Sequence, residues 1–148
     1  MADWRDELDS IFEGRARAAR AEQENAEFTT FLESVAMPAL QDLAQEFNGR
    51  HNMDARVSRA PGAAKLAVYG DGVEEINFSV LKHYSPDGIL PAASVRVNRG
   101  AYVAKHEVMF KPEAPAYTVM DVTKDDVIAC FLKYFRLVRD GGTSSGRG

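Results

Sequence analysis

The residues able to do chemistry in this chain are few and poorly grouped. Histidine, the commonest transition-metal ligand, occurs only at His51, His83 and His106, and none of the three forms an HxH or HExxH pattern. A metal site would have to recruit carboxylates from distant segments. No Gly-x-Ser-x-Gly turn presents a serine nucleophile. The single cysteine, Cys130, lies in an apolar helical run, where a thiol packs and stays inert. One cysteine also excludes an intrachain disulfide and a multi-cysteine zinc site. Neither GxxxxGK(S/T) nor GxGxxG occurs, and Gly70-Asp71-Gly72 reads as a tight turn. Glu74 and Glu75 are adjacent on a predicted strand, so they point to opposite faces and do not form a catalytic dyad. The expectation is a non-enzyme without metal or cofactor.

A nucleic-acid reading has one element, the run Arg99-Gly100-Ala101-Tyr102-Val103-Ala104-Lys105, which is similar to an RNA-recognition strand signature. That signature needs aromatic rings at two stacking positions, where this chain has Ala101 and Val103, and the order of elements differs. Arg15, Arg17 and Arg20 point in different directions around a helix and read as solvated charges. No nucleic acid is expected as a partner.

The elements that must position any site follow from periodicity. Asp3 caps a first helix, with Trp4, Leu8, Ile11 and Phe12 on one face; the stripe then fades into an Ala-rich run, giving a helical arm over residues 1–24. The next helix carries Phe28, Phe31, Leu32, Val35, Ala39, Leu40, Leu43 and Phe47 on a broad apolar face. Thr30 with Glu33 has capping-box spacing, so its start is either Thr30 or, following the stripe back, Phe28. Pro38 predicts a kink or a short break, and Asn48-Gly49 a left-handed stop.

Beyond Gly49 the period becomes two, with candidate strands over 54–59, 65–69, 74–84, 93–98 and 101–110. Their short connections permit hairpins and exclude parallel crossovers. Pro91 is placed in the connection before the fourth strand, and 117–121 is a candidate sixth strand. Thr123 starts a last helix whose core side reads Val127, Ile128, Phe131, Leu132, Phe135 and Val138, stopped by Gly141-Gly142. Residues 141–148 are too rich in Gly and Ser to hold a fixed structure. The fold class is α+β: a two-layer domain over residues 25–140, a five- or six-stranded antiparallel meander packed by an N-terminal helical segment and a C-terminal helix.

Alternation sends Leu66, Val68, Ile76, Phe78, Val80, Val95, Val97, Ala104, His106, Val108 and Phe110 toward the helices. The reverse of the sheet then presents Lys65, Tyr69, Asn77, Ser79, Leu81, His83, Arg96, Val103, Lys105, Glu107 and Met109, a mixture too apolar for a plainly solvated face. Charge is divided as well: residues 1–48 carry 4 Lys or Arg and 11 Asp or Glu, whereas residues 49–111 carry 9 and 6.

The acidic arm either covers its own sheet or reaches a partner. These features predict a non-catalytic interaction or adaptor protein, a homodimer or protein binder, with Trp4 and Phe12 as anchors and Tyr69, His83, Arg96 and Lys105 on the receiving face. A chaperone-like holder of a protein client is the first alternative, although secretion chaperones interrupt their strands with a helix that residues 85–92 are too short to supply. A small-molecule site at the same polar residues is the second. A lone cysteine, an acidic start at Asp3, Asp6, Glu7 and Asp9, and no apolar run near 18 residues predict a cytoplasmic chain without signal peptide or membrane span.

Overall fold

The structure is a computed structural model describing residues 3–85, 88–99, 102–111, 117 and 119–147, without the side chains of residues 85, 99, 102 and 140–147. Its first feature is one long helical rod. Helix α1 (Trp4–Phe31) passes through a π-helical turn (Leu32–Ala36) into α2 (Met37–Asn48). Asp3 caps α1 by accepting from the Arg5 amide. The predicted start at Thr30 or Phe28 does not exist, because the Ala-rich run has enough helix propensity to carry the chain through without a cap.

Pro38 lies within the first turn of α2, directly after the π turn. The wider turn relieves the clash between the proline ring and the preceding carbonyls, so the predicted kink takes the form of a π insertion. The predicted stop is also realised differently: Gly49 is right-handed (φ −80°), and the left-handed residue is Asn52 (φ 62°). Asn48 instead turns its side chain to the edge strand, accepting from the Ala55 amide at 2.8 Å and donating to the Ala55 carbonyl at 3.0 Å.

The sheet is the predicted meander, in spatial order β1 (Met53–Ala60), β2 (Ala63–Gly70), β3 (Val73–Ser85), β4 (Gly88–Arg99) and β5 (Tyr102–Met109), antiparallel throughout. Pro61-Gly62 joins β1 to β2 with Gly62 at φ 78°, and Asp71-Gly72 joins β2 to β3 with both residues left-handed, the pair a type I′ hairpin requires. At a bulge opposite Val68/Tyr69, Glu75 is the extra residue of β3, between Glu74, which pairs with Tyr69, and Ile76, which pairs with Val68.

Pro91 lies inside β4, opposite Lys82, and not in the connection as predicted. In an antiparallel strand the N–H and C=O of one residue point to the same side. The Pro91 carbonyl accepts from the Tyr117 hydroxyl at 2.8 Å, so its missing N–H faces the stretch where β5 pairing has ended. The same hydroxyl accepts from the Phe110 amide at 3.1 Å. Residue 117 therefore contributes by its side chain where a sixth strand was predicted, and Val119–Asp121 is a 3-10 turn.

Helix α3 (Lys124–Arg147) opens with a reciprocal cap: the Thr123 amide donates to Asp126 at 2.9 Å and the Asp126 amide to the Thr123 hydroxyl at 3.2 Å. The backbone of α3 stays helical through Gly141 and Gly142 to Arg147, so the stop predicted at Gly141-Gly142 is not realised. Helices α2 and α3 cover one face of the sheet, bridged by Lys124 with Asp42. Phe131 stands at the centre, edge-on to Phe78 of β3 and Phe47 of α2, with ring centroids 5.6 and 5.8 Å away. The core side of α3 reads Val127, Phe131, Tyr134 and Val138; Leu132, predicted to be buried, is 41% exposed.

Candidate functional site

Two surfaces remain after the core is accounted for, and alternation along the strands builds the first. Leu66, Val68, Ile76, Phe78, Val80, Val95 and Val97 are buried under the helices, so their neighbours project from the reverse face. Across that face the register aligns side chains in rows. One row is Arg56, Ala67, Asn77, Arg96 and Lys105; the next is Ser58, Lys65, Ser79, Ser94 and Glu107; the third includes Ala63, Leu81, Ala92 and Met109.

Small side chains at the centre and long ones at the rim produce a trough. Its polar half, about 190 Å³, is walled by Lys65, Arg96 and Lys105 over a floor of Asn77, Ser79 and Ser94. Its apolar half, about 420 Å³, includes Leu81, Ala92 and Met109, with His83 and Glu107 at the margin. Arg96 donates to Glu74 at 3.1 Å. No ion pair within 4 Å is formed by Lys65 or Lys105 among the described residues.

The structure brings Arg96 and Lys105 together as register partners. It does not gather the other two predicted polar residues with them. Tyr69 lies at the opposite end of the face, beneath the Arg56 guanidinium at 4.8 Å. Nine residues along β3 separate its partner Glu74 from His83, about 30 Å at strand rise. A single small ligand does not touch all four. Sequence reasoning missed Ser94 and Ala92, whose importance is that they are small; the signal was available in the register opposite Ser79 and Leu81.

The second surface is the arm. Its apolar stripe is solvent-exposed: Trp4 63%, Leu8 43%, Ile11 50% and Phe12 57%. The arm does not lie on its own sheet, because α1 continues straight from a segment fixed in the core. Phe28 is fully buried, and Asn25 accepts from Lys82 at 2.6 Å. Residues 3–23 are all exposed except Gly14.

The remaining chemistry-bearing groups are engaged in packing. His106 faces α3, its ring 5.2 Å from that of Tyr134, while His83 is exposed on the reverse face. Glu75 crosses to the helix side and accepts from Arg139 at 3.0 Å, whereas Glu74 stays on the reverse face, as adjacent strand positions require. Burial pushes the Cys130 thiol up to about 11. Burial also raises Tyr117 and Tyr134 above the ordinary phenol range. Asp126 is held below the usual carboxylate range chiefly by the Thr123 amide, which outweighs the opposing effect of burial, with smaller help from the Thr123 hydroxyl and Lys111. Among the described residues no three His, Cys, Asp or Glu side chains converge on one point, and no helix is long and apolar enough to cross a membrane.

A further groove of about 460 Å³ runs between α2 and α3, walled by Leu43, Phe47, Leu132 and Phe135 with Arg50 and Arg139 at its rim. Sequence reasoning missed it because Leu43, Phe47, Leu132 and Phe135 all fit core stripes. No protein-family profile matches the chain, and neither a curated protein nor a solved structure matches it significantly.

Proposed function

We propose that this chain is a non-catalytic interaction protein, acting in the cytoplasm, that engages another polypeptide through its N-terminal helix and the reverse face of its sheet. The observation that carries this reading is the exposed stripe Trp4, Leu8, Ile11 and Phe12 on a helix fixed to the core only from Glu24 onward. Four large apolar side chains in register on one helix leave about half of their surface in solvent. Laid against a partner, each contributes about 1 to 1.5 kcal/mol before the cost of association is subtracted, since only about half of each side chain is still to be buried. That is the arrangement of helix-in-groove recognition, with anchors at i, i+4, i+7 and i+8.

Site-specific photo-cross-linking tests it. A benzophenone amino acid replacing Phe12 captures a polypeptide, either in the purified protein or in cells expressing it, whereas the same group at Asp6 on the opposite side of the helix does not. Equal capture from both positions, or none from Phe12, would refute the reading.

A further inference from the structure

We propose that the partner is a second copy of this chain, its N-terminal helix laid across the trough on the reverse face of the sheet. This inference rests on the reading of the arm as a polypeptide-binding element and adds its occupant and its receiving site.

Three observations converge on it. The first is charge. Residues 3–13 hold five carboxylates (Asp3, Asp6, Glu7, Asp9 and Glu13) and one cation, Arg5. The polar half of the trough is walled by Lys65, Arg96 and Lys105. The carboxylates on or beside the trough are Glu74, already engaged by Arg96, and Glu107. Lys65 and Lys105 therefore face solvent with no carboxylate within ion-pair distance among the described residues.

The second is the matching division of each surface into apolar and charged parts. At 100° per residue, Glu7 and Asp9 lie on either side of the stripe formed by Trp4, Leu8, Ile11 and Phe12. The trough has the complementary plan, with Leu81, Ala92 and Met109 in one half and the cations in the other.

The third is dimension. From Trp4 to Phe12 the stripe extends about 12 Å at helical rise. The four strands β2 to β5 that line the trough span about 14 Å between their outer axes. Both surfaces belong to the same chain, and the chain cannot satisfy its own: the arm leaves the core beside Lys82 and Gly88 on the helix side of the β3–β4 hairpin. Two copies exchanging arms satisfy both surfaces at once with the self-complementarity of a two-fold dimer.

Charge reversal with rescue tests the pairing. The variants are Lys65→Glu with Lys105→Glu on the sheet, Glu7→Lys with Asp9→Lys on the arm, and all four together. Dimer dissociation is followed by analytical ultracentrifugation and by the emission of Trp4, the only tryptophan. Each pair of reversals alone is expected to weaken the dimer about tenfold or more, and the quadruple variant to recover most of the loss. Circular dichroism melts confirm that every variant is folded.

A monomeric wild type at tens of micromolar overturns the inference and leaves the arm to a different partner. A dimer indifferent to the reversals overturns it as well. If that dimer is still abolished by Trp4→Ser with Phe12→Ser, the arm reading stands and the trough does not. If neither set of changes matters, both readings fail.

Discussion

Replacing Tyr117 by Phe removes one oxygen atom that completes the sheet. That hydroxyl donates to the Pro91 carbonyl at 2.8 Å and accepts from the Phe110 amide at 3.1 Å, joining the ends of β4 and β5 beyond the last backbone pair, Ala92 with Met109. The side chain is buried, 5% exposed, so water does not readily replace the lost partner. Two backbone groups left unpaired, one of them partly hydrated at Phe110, cost about 2 kcal/mol together. For a domain of this size that lowers Tm by about 4 to 8 °C.

The control is Tyr134→Phe. Tyr134 is also buried, 7% exposed, but its hydroxyl makes no hydrogen bond among the described residues, so its loss is expected to move stability by about 0.5 kcal/mol or less. Urea unfolding followed by circular dichroism measures both. Equal effects of the two substitutions, or a Tyr117→Phe protein as stable as the wild type, would refute the argument that the hydroxyl substitutes for a strand.

Truncating Phe131 or Phe78 to Ala is expected to cost about 3 to 5 kcal/mol, enough to leave the domain largely unfolded if its stability lies at the low end of the usual range; loss of cooperative melting checks it. The folded-state pKa of Asp126 is lowered, so its contribution is present above the ordinary carboxylate pKa and lost as pH falls through the depressed value. Thermal melts from pH 5 downward should therefore show a steeper acid loss in the wild type than in Thr123→Ala, which lacks the hydroxyl of the cap and is about 1 kcal/mol less stable at neutral pH. With its thiol raised to about 11, Cys130 should react with a disulfide reagent at pH 8 about a hundredfold more slowly in the folded chain than in urea, from thiolate fraction alone; similar rates in the two states would contradict its burial.

The sheet was legible because period-two alternation and Gly-containing turns act together: Asp71-Gly72 determines a hairpin whichever residues flank it, and Ile76, Phe78 and Val80 determine which face turns inward. The helices were legible as apolar stripes but not as continuous objects. Nothing local at Thr30 distinguishes a capping box from three helical residues that happen to match it, and the outcome depends on the packing of Phe28 and Leu32. Pro91 was misread because a proline excludes a hydrogen bond, and whether that bond was needed depends on a partner distant in sequence, here Tyr117. Tyr134 and Leu132 exchanged the burial that their hydrophobicity suggests, because a helix on a twisted sheet buries the residues at its contact angle, with hydrophobicity a secondary factor. For the candidate surface, the apolar arm and the mixed reverse face could be read from the sequence. The trough could not, since it is created by small residues aligned across strands.

The continuity of the rod from Trp4 to Asn48 has a consequence for how the protein spends its conformational entropy. A helix about 20 residues long that packs against nothing is only marginally stable in water, whereas its own continuation beyond Phe28 is locked in place. Along one unbroken helix, amide hydrogen exchange should therefore slow by orders of magnitude from the tip to the root. A partner that clasps the tip must first still it, so recognition and ordering of the distal turns become a single thermodynamic event, and its heat capacity change will be larger than the contact area alone would give.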